Sequence, residues 1–217
     1  MRDMAQLLEH LKSVGFNPQT VIDVGVAYGT PPLYAAFPSA YFVLCEPIAE
    51  FEKYLKSHLN HLKGEYHLCA VSEVDGTAQI YVSDQADGSS LMHQDVKSDN
   101  PALRTIETKM LDTILGGRKM AGPILLKTDC QGGDLKVMAG AKKLLTEVDV
   151  IIMEVGMFHF WGKATPDFAD TVIEMKRLGF VPYELFDLMQ RPSDGALGQL
   201  DIVFVKDDGP FRISHKW

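Results

Sequence analysis

The sequence predicts an α/β fold: a mostly parallel, seven-stranded sheet with helices on both faces and an antiparallel pair of strands at one end. Three observations lead there. Apolar runs of strand length alternate with longer segments of helical period. The last two apolar runs are joined by a loop too short to hold a helix. A turn of small residues, DVGVAYG at 23–29, leads out of the first strand into a helix.

The elements follow in order. The opening stretch, MRDMAQLLEHLKSVGF, mixes charged and apolar residues at helical spacing and forms an N-terminal helix within residues 1–19. Thr20–Val24, Tyr41–Cys45 and residues 66–71, 123–128 and 148–153 read as buried strands. Residues 33–37, 48–62, 135–145 and 167–178 read as helices between them. The charges of the second helix form a solvated face, with Glu52 one turn before Lys56. Residues 180–186 and 200–205 flank the loop MQRPSDGALGQ and form the antiparallel hairpin. Residues 77–82 and 105–110 are further short strands. The polar stretch between them, about 83–104 with DGSSL at its centre, shows no period and reads as a lid.

The 217 residues fit one domain spanning 1–217, and their composition, 46% apolar and 23% charged, is that of a globular protein. No apolar run approaches the roughly 20 residues that span a bilayer. The start is not a signal peptide, so a cytoplasmic setting is the expectation. A net charge of −8 without a Lys/Arg run argues against a nucleic-acid partner, since such partners demand a basic face. Cys45, Cys69 and Cys130 lie far apart and suggest neither a disulfide framework nor a zinc site. All three fall at predicted strand ends, as pocket lining or as small buried hydrophobes.

The turn at 23–29 carries the sharpest local signal. Gly25, Ala27 and Gly29 give a ligand room to approach the backbone. Glu46 ends the second strand, at the spacing of an acid that accepts hydrogen bonds from ribose hydroxyls. Two cofactors suit this geometry. NAD(P) brings an anionic pyrophosphate, which prefers uncharged amides. S-adenosylmethionine is cationic at sulfur and nitrogen, and Asp23 favours that charge. The GxAxG pattern, in place of GxGxxG, points the same way. Asp23 as the cap of a tight turn is the alternative that assigns it no ligand.

The second half holds LLKTDCQGGDLKVMAGA at 125–141 and IIMEVGMF from Ile151. With DVGVAYG, LCEP at 44–47, MLDTI at 110–114 and DIVFV at 201–205, it resembles the FkbM-type methyltransferase family from about residue 23 to 205. The resemblance implies a Rossmann-like class I methyltransferase fold. It implies methyl transfer from S-adenosylmethionine to oxygen, such as a hydroxyl on a sugar, glycolipid or small natural product. It sets Asp23, Gly25 and Gly29 at the methionine side of the cofactor, Glu46 at its ribose, and Ala70 and Val71 near its adenine. Lys127, Asp129 and Gln131 fall at the substrate edge. Ala27 stands where the family usually has Asn, and Gly133 where Ala is common.

The chemistry narrows the candidates further. An aliphatic hydroxyl is a poor nucleophile, so a base should take its proton as the new bond forms. Asp129 ends a strand at the edge where open α/β sheets bind ligands. Lys127 shares its face and either pairs with it or positions substrate; both together also make a structural ion pair. Glu154 ends the next strand, and His159 follows in a loop, as a proton carrier or a surface residue. Asp129 and Glu154 offer two oxygens to Mg²⁺ without a third clear ligand. Phe158, Phe160 and Trp161 wall an apolar pocket or pack in the core. Two other readings remain: an NAD(P)-dependent oxidoreductase, and a cofactor-binding protein without catalysis.

Overall fold

Asp3 starts the first helix, α1 (Met4–Ser13), by accepting from the Gln6 amide at 2.8 Å while Gln6 reaches back to the Asp3 amide. The computed structural model describes residues 2–83, 86–92, 96–97 and 99–216. The chain continues through β1 (Thr20–Val24), α2 (Pro31–Ala36), β2 (Tyr41–Cys45), α3 (Glu52–Leu59) and β3 (Lys63–His67). Three strands follow, β4 (Ala70–Val71), β5 (Gly76–Tyr81) and β6 (Leu103–Lys109), and then α4 (Leu111–Leu115). The second half runs β7 (Ile124–Thr128), α5 (Asp134–Ala139), β8 (Val150–Gly156), α6 (Phe168–Arg177), β9 (Phe180–Gln190) and β10 (Leu197–Lys206).

Seven strands make one sheet in the order β3-β2-β1-β7-β8-β10-β9. The first five are parallel, and β10 runs antiparallel to both β8 and β9. The expected seven-stranded sheet with its terminal hairpin is therefore present. Leu7, Leu8 and Leu11 of α1, Leu33 of α2 and Leu55 of α3 pack on one face with Phe42 and Val203. Leu111 of α4, Val137 of α5 and Met175 of α6 pack on the other with Ile22 and Phe204. Helices thus cover both faces, which keeps a parallel sheet's apolar residues dry. Among the described residues no helix is long and apolar enough to cross a membrane.

Three expectations need correction. Residues 66–71 are two strands, not one. His67 pairs with Cys45, the last residue of β2, so the main sheet offers nothing beyond it. Ala70 and Val71 pair instead with Thr108 and Lys109, in a small sheet of order β4-β6-β5. The helix expected over 48–62 opens as a 3-10 turn, Ala49–Phe51, before α3. The helix expected over 135–145 stops at Gly140, where a Cβ would overlap the Ser72 carbonyl oxygen, and a 3-10 turn, Leu144–Thr146, follows. Short α4, in MLDTI, has too few residues to show a period.

The core makes a direct stability test. Phe42 is fully buried on β2 between α-helical neighbours. Phe42→Ala is expected to lower the unfolding free energy by about 3–5 kcal/mol, read by urea denaturation. A loss below about 1 kcal/mol would mean that this face is not close-packed.

Candidate active site

Strand order reverses between β1 and β7: the chain moves outward to β2 and β3, then returns to β7 and continues the other way. Open α/β sheets leave a crevice at the carboxyl ends of such strands. A cavity of about 320 Å³ lies there, lined by Gly25, Glu46, Ala70, Lys127, Asp129 and Asp201 among others. Side chains alternate along each strand, so Asp23, Lys127, Glu154 and Asp201 share the face of Val21, Leu125, Ile152 and Val203. Register places Asp23 opposite Lys127 and Glu154 opposite Asp201.

Lys127 is the hub. Its Nζ lies 3.5 Å from Asp23 Oδ1 and 3.6 Å from Asp129 Oδ2, and it donates to the Gly25 carbonyl at 3.4 Å. Its side chain is 9% exposed. Burial works against the ammonium, but the carboxylates of Asp23, Asp129 and Asp201 outweigh it and hold the lysine above its ordinary range. Gln131 donates through Nε2 to Asp129 Oδ1 at 2.9 Å and to Glu154 Oε2 at 3.1 Å. Burial, with the charge of Asp129 beside it, pushes Glu154 far above the carboxylate range. Asp201 rises to about 7 through burial and Asp129, against the pull of Lys127. Glu154 therefore carries a proton at neutral pH.

Asp23 is the residue expected at the methionine side of the cofactor. It is fully buried and is absent from the cavity wall. Its Oδ2 accepts from Tyr34 Oη at 2.8 Å and Thr30 Oγ1 at 3.0 Å. Burial and this carboxylate together raise the Tyr34 phenol. Asp23 thus braces the turn after β1 and balances Lys127; a neighbouring ammonium already answers its charge.

The glycines also do structural work. Gly25 has φ +76°, and a Cβ there would overlap the Asp129 carbonyl oxygen, so it is the close approach of β1 to the end of β7 that excludes a side chain. At Gly29 the corresponding space holds the His58 imidazole. Ala27 takes φ +46°, a left-handed backbone that suits Asn or Gly better than Ala. Its amide donates to Glu46 Oε2 at 2.9 Å, and the Ile48 amide to Oε1 at 2.8 Å. Glu46 is 3% exposed, and burial raises it to about 7 despite those two donors. Each oxygen keeps a second acceptor site for a ligand hydroxyl.

The rest of the wall divides by chemistry. Ile48, Phe51, Ile80 and Leu91 make an apolar end beside Ala70 and Val71, which suits a planar heterocycle. Lys127, Asp129, Gln131 and Asp201 make the polar end, and Met4 of α1 is also part of the wall. Cys45, Cys69 and Cys130 are free and line the cavity; the first two are buried as well. Of the expected lid, residues 84–85, 93–95 and 98 lie outside the described residues. Its described part includes a 3-10 turn, Ala86–Gly88, and places Ala86, Asp87, Ser89 and Leu91 on the cavity wall.

His159 stands apart. It is exposed, its Nδ1 lies 2.6 Å from the Thr165 carbonyl, and the cavity lining does not include it. Phe158, Phe160 and Trp161 line a separate small cavity that Glu154 also borders, with the Arg191 guanidinium 3.8 Å over the Phe158 ring. Asp201 was missed in the sequence, although a carboxylate between Leu200 and Ile202 in an apolar strand was its signal. Among the described residues no group of three or more His, Cys, Asp or Glu is arranged to hold a metal ion.

Comparison with known proteins agrees with this architecture. Residues 23–182 match the methyltransferase FkbM domain. Among curated proteins none is significantly similar. A candidate RNA methyltransferase from Pyrococcus horikoshii is similar in fold, with a TM-score of 0.50 and 15% identity over 94% of this chain and 82% of its own. WbdD, solved with the kinase inhibitor LY294002, has a TM-score of 0.52 and 14% identity over 95% of this chain and 41% of its own.

The bracing of Asp23 is testable by itself. Tyr34→Phe removes one donor to a buried carboxylate and is expected to cost about 1.5–3 kcal/mol of stability in urea denaturation. An unchanged midpoint would show that the phenol contributes nothing to the turn.

Proposed function

The chain belongs to the FkbM methyltransferase family, and on that premise we propose that it methylates a hydroxyl oxygen of a small-molecule or glycosidic acceptor, with Asp129 as the base. The fold is the Rossmann-like one of class I methyltransferases, and the cofactor is S-adenosylmethionine, not the dinucleotide of the alternative reading. The observation that carries the proposal is the polar end of the cavity: a carboxylate beside a buried ammonium and a proton-bearing acid. A neutral alcohol needs a proton acceptor there, whereas a thiolate or a ring nitrogen does not.

The cavity fits the cofactor. Glu46 offers two acceptor oxygens to ribose hydroxyls, and Ala70 and Val71 flank the adenine at the apolar end. Gly25 and Ala27 take the methionine portion, with the carboxyl group of Asp201 on the cavity wall favouring its positive charge. When bound, S-adenosylmethionine supplies a methyl carbon made electrophilic by the adjacent sulfonium. Asp129 accepts the acceptor's hydroxyl proton, and Lys127 holds that carboxylate in position. Glu154 keeps its own proton and so orients, leaving the base role to Asp129. Ala86, Asp87, Ser89 and Leu91 close that part of the cavity wall and keep water from it. A net charge of −8 supports a small or glycosidic acceptor over RNA.

Two experiments test this reading. Purified protein with S-adenosylmethionine should add one methyl to hydroxyl-bearing metabolites or glycans, read by mass spectrometry. Asp129→Asn should lower kcat about 10²-fold or more and leave cofactor affinity nearly intact. Methyl transfer confined to RNA, or full turnover in Asp129→Asn, would overturn the proposal. The second test concerns Glu46. Its pKa is raised to about 7, so the ionised form that accepts two hydroxyls is lost as pH falls through that value. Affinity for S-adenosylhomocysteine should weaken about tenfold from pH 8 to pH 6, and Glu46→Gln should flatten the profile. A profile that Glu46→Gln leaves unaltered would remove Glu46 from the ribose.

A further inference from the structure

We propose that Ser90 and Gln131 are positioning residues for Asp129: Ser90 fixes an unfavourable backbone at Gln131, and the Gln131 amide then bridges Asp129 and Glu154. The inference rests on the reading of Asp129 as the base.

Gln131 has φ +49°, in the left-handed region that non-glycine residues avoid. The turn needs something to hold it. Ser90 is 1% exposed and donates through Oγ to the Gln131 carbonyl at 2.7 Å. The same oxygen accepts from the Met92 amide at 2.9 Å, which sets the direction of its proton. The Ser90 backbone is itself pinned by paired hydrogen bonds with Tyr81, 3.0 and 3.1 Å, at the end of β5. A rigid strand end thus holds the turn through one hydroxyl.

The left-handed turn brings the side chain back over the strand that precedes it. Nε2 then reaches both Asp129 and Glu154, from different strands. The titratable groups facing Asp129 are Lys127 of β7, Glu154 of β8, Asp201 of β10 and Asp134 of α5. Gln131 adds a neutral donor to both carboxyl groups at once. Without it, both carboxyl groups lose a donor. Ala86, Asp87, Ser89 and Leu91, on either side of Ser90, line the cofactor cavity.

The test uses the whole chain and needs no known acceptor. Carboxyl-carbon NMR titration follows Asp129 and Glu154, assigned by loss of their signals in Asp129→Asn and Glu154→Gln. Gln131→Gly tolerates the left-handed backbone, so it removes the amide without new strain. It should raise the lower titration midpoint of the Asp129–Glu154 pair by about one pH unit. Ser90→Ala should move it the same way by less. Ser90→Ala added to Gln131→Gly should change nothing further, since Ser90 acts only through that amide. Unchanged midpoints in folded Ser90→Ala and Gln131→Gly, or additive shifts in the double variant, would overturn the proposal. Full turnover in Asp129→Asn would defeat the base assignment and leave the NMR result standing by itself.

Discussion

The buried ammonium of Lys127 is the constraint around which the site is arranged. Removing a charge from water costs several kcal/mol, and only well-placed opposite charges offset it. Asp23 supplies one from β1 and Asp129 another from β7's end, with the Gly25 carbonyl as a third contact. The two strands that meet at the switch point are thereby tied by charge as well as by their ladder. Asp23 must stay buried and braced for this, which is why Tyr34 and Thr30 donate to it. Asp23, outside the cavity wall, thus serves as a fixed counter-charge.

From this hub the two ends of the cavity are positioned together. Gly25 lets the turn after β1 press against Asp129, so that turn and the polar end of the cavity share one backbone contact. The same turn presents the Ala27 amide to Glu46, which β2 carries in from the next strand. Ala27 pays in backbone strain for a conformation that Asn would hold more easily. The hydrogen bond to a buried carboxylate offsets part of that cost.

The acids at the polar end differ in charge state because they differ in surroundings. Glu154 lies deep beside Asp129 and keeps its proton, whereas Asp201 is drawn back toward ionisation by Lys127. Several carboxyl groups around one ammonium cannot all be charged at once. Their division of protons is set by distance and burial, and Gln131 sits at the point where two of them meet. Under the proposed function, that division leaves Asp129 as the carboxylate that meets a substrate hydroxyl.

Much was legible in the chain itself. Alternation of apolar runs with helical segments determined the seven-stranded sheet, because a strand buried on both faces must be apolar along its length. The lack of helix-forming length between the last two runs determined the hairpin. KTDCQG and DVGVAYG determined the family, because fixed residues at fixed spacing carry its pattern. Tertiary structure alone decided the rest. It split residues 66–71 between two sheets, since a run of apolar residues does not reveal where its pairing partner ends. It withdrew Asp23 from the cavity and brought in Asp201, because burial and cross-strand register depend on residues distant in sequence. It set His159 on the surface, and it joined Ser90 to Gln131 across 41 positions. Spacing along the chain encodes what repeats locally; charge balance and contact across strands exist only once the sheet has closed around them.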